Sequence, residues 1–297
     1  MDETICKFLE YLQYEKRTSV HTIEAYKSDL MQFSQYVSDH FGGTPLLSCK
    51  PVVIRTWLLE LVESGVTARS VNRKMSALRA FFRYHLRTGS LTHNPMEAIT
   101  APKIAKRLPQ FVEEADMKLI FSEELFEDTF EGWRDRFIIE LFYVTGMRLS
   151  ELTNIRRDDM DLYSCQVRVL GKRNKERVIP FSVRVKSVAE KYFQFFDKKY
   201  PDIEKNSFIF VASNGNKIYP KAVYRIVRKY LDMVTTIDKR SPHVLRHTFA
   251  THLLNHGADI NAIKEILGHS SLAATQVYTH NSVEKLKKIY NQAHPRA

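Results

Sequence analysis

The stretch Ser241–Leu254, SPHVLRHTFATHLL, reads as the opening turns of a helix bearing two histidines and an arginine within five residues, and what those side chains hold decides the fold around them. Ser241 can cap that helix and Pro242 can open it, so His243 falls where backbone N–H groups and the helix dipole favour an anion. Arg246 lies three residues on, over the same face. His243 with His247, and His252 with His256, also have the i, i+4 spacing that lets histidines share a zinc ion. Against zinc, the glutamate of a HExxH site is missing, Arg246 sets a cation beside the metal, and the second pair turns away from the first. The bland alternative is a helix with ordinary core and surface histidines. A phosphate accounts for more of the residues, because a guanidinium offers it a permanent charge and a two-pronged donor.

Phosphoryl transfer needs several such donors from separate chain segments, and working outward the sequence supplies them. Arg148 follows a helix break in TGMRLSEL, where by itself it reads as a partner for Glu151. Lys172 occupies the turn of a predicted hairpin in GKRNKER, beside Arg173. His269 follows Gly268 at a helix end in ILGHSS, and Tyr278 lies in AATQVYTH. A lone turn lysine is usually solvated and one tyrosine among 14 is usually core or surface. The specificity lies in the set.

The rest of the chain agrees with a polyanionic partner. Lys and Arg number 45 against 34 Asp and Glu, a formal charge of +11 with a pI near 9.4, which favours nucleic acid. No segment has the run of about 18 apolar residues of a membrane span, and the acidic start MDETICKFLE is wrong for a signal peptide. A cytoplasmic, nucleoid-associated protein is expected, without contact to a membrane. Cys6, Cys49 and Cys165 form no CxxC pair, so three reduced thiols are expected, with neither a metal nor a cofactor.

At 297 residues the chain is long enough for two domains. Its first hundred residues read as helices: Thr4–Tyr14, a segment from Ser19, one opened by Pro51, and a fourth over about Ala68–Thr88. On the fourth, Val71, Met75, Leu78, Phe82 and Leu86 share one side, while Arg69, Arg73, Arg79, Arg83 and Arg87 share its neighbour. From Ala68 to Arg107 there are nine Lys or Arg and one acid, Glu97, a one-signed bias that suits phosphate-backbone contact. Pro95, Pro102 and Pro109 punctuate a basic stretch, giving domains over 1–100 and 111–297 with a linker at 101–110. Beyond it the pattern predicts a helix over Arg134–Val144 stopping at Gly146, another near Leu149, and two strands in QVRVLGKRNKERVIPF. SFIFVASNGNKIYP supplies a third strand. Helical patterns follow over Lys221–Met233, Pro242–Asn255, Ile260–Leu267, Leu272–Tyr278 and Val283–Asn291. The fold class is mainly α with a small β-sheet in the second domain.

The set Arg148, Lys172, His243-x-x-Arg246, His269 and Tyr278, in that order, resembles the active site of the tyrosine recombinases, the phage integrase family. TGMRLSEL, HVLRHTFATHLL, LGHSSLAATQVYTH and the closing HPRA stand close to the bacterial Xer recombinases. SVHTIEAYKSDLMQF, MSALRAFFRY and NPMEAITAPK resemble the family's amino-terminal half, while APKIAKRLPQF and RDRF lean towards its XerC branch. The resemblance implies a two-domain, C-shaped clamp on duplex DNA, with a SAM-like helical domain before the linker and the catalytic domain after it. It implies Tyr278 as nucleophile, Arg148 and Arg246 on the scissile phosphate, His243 and His269 on its oxygens, and Lys172 as the acid for the leaving 5′ oxygen. One departure is Arg173, where the family commonly has glycine after the lysine.

The resemblance further implies strand exchange through a Holliday junction at two inverted half-sites, a tetramer on DNA linked by C-terminal tails, a paralogous recombinase on the other half-site, and a septal DNA translocase as activator. Resolution of chromosome dimers at a dif-like site is the expected task. A compact integrase or transposon recombinase is an alternative, whereas a phage-type integrase with an arm-binding domain is disfavoured because nothing precedes the core-binding half. A type IB topoisomerase shares the chemistry, but the amphipathic VEKLKKIY beyond Tyr278 suits a docking tail. A DNA-binding factor without catalysis leaves the assembled set unexplained.

Overall fold

Helix α1, Glu3–Glu10, starts on Asp2, whose carboxylate accepts the Thr4 N–H at 2.8 Å, and continues as a π-helical turn over Tyr11–Glu15. Helices α2 (Val20–His40), α3 (Pro51–Glu63) and α4 (Ala68–Arg87) complete a bundle, with Pro51 in the first turn of α3 and Thr67 capping α4. Phe8, Leu30, Phe33, Ile54, Trp57, Met75, Leu78, Phe81 and Phe82 close its core. The computed structural model describes residues 2–103, 110–171, 176–203, 207–268 and 292–296, and the chain divides into two units, Met1–Arg107 and Leu108–Ala297.

The buried face of α4 is wider than the apolar residues alone predict. Lys74, Ala77, Phe81 and His85 join Val71, Met75, Leu78 and Phe82, whereas Leu86, expected among them, is 36% exposed at the rim of the stripe. Lys74 tolerates burial because its ammonium meets the buried Asp29 carboxylate at 3.0 Å and Gln32 at 2.5 Å. Beyond α4, Arg55 and Arg79 donate to the carbonyls of Ala98 and Ile99, and Asn72 to that of Pro102. The chain is therefore tied to the first unit as far as Pro102. Of the expected linker, residues 104–109 lie outside the described residues.

The second unit is built around α6, Phe130–Thr145, which is buried on every side from Arg134 onward. The buried charges of α6 are paired, Arg134 with Asp135 at 2.8 Å and Glu140 with Arg296 at 3.2 Å. A helix buried all round stands at the centre of the core, and α8 (Val183–Lys199), α9 (Pro220–Val234) and α10 (Pro242–Asn255) pack on it. Short helices α5 (Glu114–Ile120), α7 (Leu149–Leu152) and α11 (Ile260–Ile266) fill the ends.

The sheet is antiparallel, in the order β1 (Met160–Asp161), β2 (Gln166–Leu170), β3 (Glu176–Pro180), with Val167 opposite Ile179. The expected strand after Ser207 does not join it. Phe208 and Val211 make single bridges to Arg156 and Lys217 instead, and β1 takes the third place. Asp161 accepts the N–H groups of Tyr163 and Ser164, and Cys165 at φ +54° closes the tight turn that returns the chain to β1. The helical patterns over Leu272–Tyr278 and Val283–Asn291 lie outside the described residues.

Candidate active site

The site begins where α6 stops. Gly146 takes the left-handed conformation (φ +56°), its N–H closing on the Phe142 carbonyl, and turns the chain so that Met147 is buried and Arg148 opens α7. Glu151, one helical turn on, accepts the Arg148 backbone N–H on Oε2 at 2.7 Å and its side-chain Nη1 on Oε1 at 2.8 Å. The pairing expected from sequence therefore exists. It orients the guanidinium rather than removing it, since Arg148 remains on the cleft wall.

Helix α10 supplies the second arginine. Val244, Leu245, Thr248, Phe249 and Leu253 bury one face of it, which turns His243 to solvent and leaves Arg246 half-buried. Ser241 stands at the N-cap, but its hydroxyl makes no capping bond; its carbonyl accepts from Val244 and Leu245. Arg246 donates Nη1 to the Gly146 carbonyl at 2.5 Å and Nη2 to the Leu267 carbonyl at 2.6 Å.

Arg148, Leu149, Ser150, Pro220, His243 and Arg246 line one open cleft of about 370 Å³. A second cleft of about 350 Å³ shares His243 and is lined also by Tyr224, Arg228 and Lys239. Behind the first cleft, Arg177 on β3 is 5% exposed and pairs both oxygens of Glu151 at 2.9 and 2.8 Å. Burial by itself would raise the Glu151 carboxyl, but Arg177 and then Arg148 pull it down to about 2, so it is an anion at neutral pH. Burial, and next the nearby Arg148, lower the Arg246 guanidinium to about 10, and it stays charged. Three guanidiniums against one carboxylate leave the cluster at +2. A phosphodiester carries one negative charge and gains another as a nucleophile adds, a change that a positive surplus of this kind can favour chemically.

Lys172, Arg173, His269 and Tyr278 lie outside the described residues. Among the arginines of α4, Arg69 and Arg83 are exposed, Arg73 is paired with the buried Asp29, Arg79 is held by the Ile99 carbonyl, and Arg87 lies over the Tyr11 ring at 4.4 Å. They share a side of the helix, yet three are committed to contacts within their own unit. The second histidine pair of α10 separates as well. His252 is buried, with Nδ1 2.9 Å from the Tyr143 hydroxyl, while His256 meets Glu114 at 2.6 Å. Sequence reasoning passed over Arg177, although alternation with Ile179 on β3 puts it on the inward face, where an arginine requires a buried acid.

The segment 292–296 seats on the same unit. His294 is 5% exposed, its Nε2 donating to the Tyr143 carbonyl at 3.2 Å and its Nδ1 accepting the Arg296 N–H at 3.1 Å. Arg296 reaches Glu140 at 3.2 Å and lies over Phe121. Burial drops the His294 imidazole from 6.5 to about 3. A depressed histidine contributes stability that is complete above its unfolded value and declines as pH falls towards its folded one. Acidification from pH 7.5 to 5 is therefore expected to raise the opening of this segment about 30-fold, read as a fall in the protection factors of the Ala293 and His294 amides once the base-catalysed intrinsic rate at each pH is divided out. His294→Gln should flatten that dependence, and equal protection factors at both pH values would contradict it.

The chain matches the phage integrase family over residues 110–285 and the phage integrase N-terminal SAM-like domain over residues 5–89. It belongs to the phage integrase family, the tyrosine recombinases, enzymes that cleave and rejoin DNA strands. Within that family it is similar to the tyrosine recombinase XerC of Staphylococcus haemolyticus, 38% identical over 297 residues that cover 100% of this chain and 98% of the relative. It is 35% identical to the tyrosine recombinase XerC of Chlorobaculum parvum, over 98% of this chain and 94% of that one. Among solved structures it shares the fold of the XerH site-specific recombinase in a post-cleavage complex with a palindromic difH substrate, at a TM-score of 0.73 and 20% identity over 96% of this chain and 83% of that one. The lambda integrase dimer bound to a COC′ core site has a TM-score of 0.65 at 18% identity, over 92% and 97% of the two chains.

Proposed function

We propose that this chain is a Xer-type recombinase that exchanges DNA strands at a site of two inverted half-sites, through a 3′-phosphotyrosyl intermediate and a Holliday junction, and so resolves chromosome dimers on the nucleoid. The observation that carries the reading is the convergence of Arg148, Arg246 and His243, from two separate helices, on one open cleft with a surplus of positive charge. Full-length similarity to XerC relatives points to the same task. A tetramer on DNA, a paralogous partner on the other half-site and a septal translocase as activator belong to this proposal.

In this chemistry the Tyr278 oxygen attacks the scissile phosphorus while the bond from phosphorus to the 5′ oxygen breaks. Arg148 and Arg246 hold the non-bridging oxygens, His243 and His269 donate to them, and His243 helps move the tyrosine proton. Lys172 protonates the departing 5′ oxygen. A tyrosine has an ordinary pKa of about 10, so the cationic field is what makes it an attacking group at neutral pH. The phosphotyrosyl ester keeps the energy of the broken phosphodiester, and religation needs no nucleotide. Among the α4 arginines, Arg69 and Arg83 are the exposed ones whose side chains have no hydrogen bond, ion pair or ring contact to a described residue, and they best suit backbone phosphates, together with Arg173.

The role of Lys172 has a direct test. Lys172→Ala is expected to slow cleavage of an ordinary duplex by about 10²–10⁴-fold, and to recover on a substrate whose scissile 5′ oxygen is replaced by sulfur, which leaves without a proton. Equal losses on both substrates would refute the acid role.

A further inference from the structure

We propose that Arg177, a residue outside the cleft, is a positioning residue for cleavage: it fixes the Arg148 guanidinium through Glu151 and, with its third nitrogen, fixes the end of α11. The role rests on the reading of Arg148 as a phosphate-holding group.

Glu151 has two oxygens, and four donors saturate them: the backbone N–H and Nη1 of Arg148 on one side, Nη1 and Nη2 of Arg177 on the other. The carboxylate cannot rotate to follow Arg148 without breaking the fork from Arg177. Arg177 itself is pinned, because its Nε donates to the Ile266 carbonyl at 2.8 Å. The carbonyl that ends α11 and the two that follow it each take a different arginine. Ile266 receives Arg177, Leu267 receives Arg246 at 2.6 Å, and Gly268 receives Arg148 at 3.1 Å. Helix ends leave such carbonyls without intrahelical partners, so three guanidiniums complete the helix while the helix spaces the guanidiniums.

Gly268 shows how close this packing is. It is left-handed (φ +62°), and a Cβ there would lie 3.1 Å from Arg177 Nη1. His269 is the next residue in sequence, so Arg177 ties together the Arg148 side of the cleft and the backbone immediately before His269. A charged side chain on the inward face of β3, between Val169 of the paired strand and Ile179, is costly to bury unless its geometry is used. A lysine cannot reproduce it, since one ammonium cannot span Glu151 and Ile266 with the planar three-nitrogen fork.

The test uses the full chain on a half-site duplex, with covalent attachment measured in single turnover and DNA affinity measured beside it. The scissile group is either the ordinary phosphate or a neutral methylphosphonate with both stereoisomers present. Loss of the negative charge makes precise placement of Arg148 less important, so a defect transmitted through Arg148 shrinks on the neutral substrate. Arg177→Met is expected to lower attachment about 10- to 100-fold on the phosphate and about 3-fold or less on the methylphosphonate, with affinity changed by about 2-fold or less. Arg177→Lys should show a smaller loss with the same contrast between substrates, and it decides the matter if the methionine variant does not fold. Equal losses on the two substrates, in whichever variant folds, would overturn the positioning role and leave Arg177 a stabilising residue. Absence of attachment by the unsubstituted enzyme on both substrates would overturn the recombinase reading and this role with it.

Discussion

Arg246→Lys is expected to lower DNA cleavage by about 10²–10³-fold, the scale of losing a preorganised donor to a developing oxyanion. The guanidinium is held by two carbonyls, Gly146 and Leu267, while remaining on the wall of the cleft. A lysine keeps the charge and fills one or two of those contacts, but it cannot keep both anchors and also present a fork to the phosphate. The loss should fall on the covalent step and spare binding, because the contacts that strengthen are those made as charge develops. Single-turnover attachment alongside half-site affinity separates the two. A loss confined to affinity would remove Arg246 from the scissile phosphate.

Gly146→Ala is expected to cost about 2–5 kcal/mol of stability. The left-handed conformation contributes about 1–2 kcal/mol of this for any residue with a Cβ. The rest is overpacking, because the added methyl would lie 2.4 Å from Phe249 Cδ1 and 2.9 Å from Leu267 Cδ2. Phe249 is fully buried and Leu267 nearly so, so neither can step aside freely. Calorimetry should show the melting temperature down by about 5–15 °C. Cleavage should fall as well, since the Gly146 carbonyl is an anchor of Arg246 and Arg148 lies two residues on. A melting temperature within about 2 °C of the parent would contradict the left-handed turn and its packing.

Much of this site is legible from short patterns. The Pro242 start and the Gly146 stop set the positions of His243, Arg246 and Arg148, because helix ends are fixed by local chemistry, even though Ser241 caps with its carbonyl alone. Other features depend on tertiary register. Helix α8 carries Val185, Val188, Tyr192, Phe193 and Phe196 at helical spacing, but its β-branched start follows directly on a strand and hides the change of period. The third member of the sheet, β1, is two residues long and exists only because the turn at Cys165 folds β2 back on it, whereas the longer apolar run Phe208–Val211 pairs at single bridges. The arginine row on α4 is legible as a row. Which of its members are committed is not, because Asp29 and Ile99 come from other parts of the unit. The alternation on β3 places Arg177 inward with Ile179, but its partner Glu151 lies 26 residues away in the sequence and is brought to it only by the tertiary fold.

The most direct test of the central claim is to trap covalent protein–DNA complexes on genomic DNA, sequence the attached ends, and repeat with Tyr278→Phe. A Xer-type recombinase predicts attachment at one locus with two inverted half-sites, lost entirely in the phenylalanine variant. Attachment that persists in that variant would contradict the claim and shift the nucleophile to another tyrosine, with Tyr224 in the adjoining cleft the first to examine. Scattered attachment that depends on Tyr278 would contradict site specificity and leave a DNA-relaxing enzyme in its place.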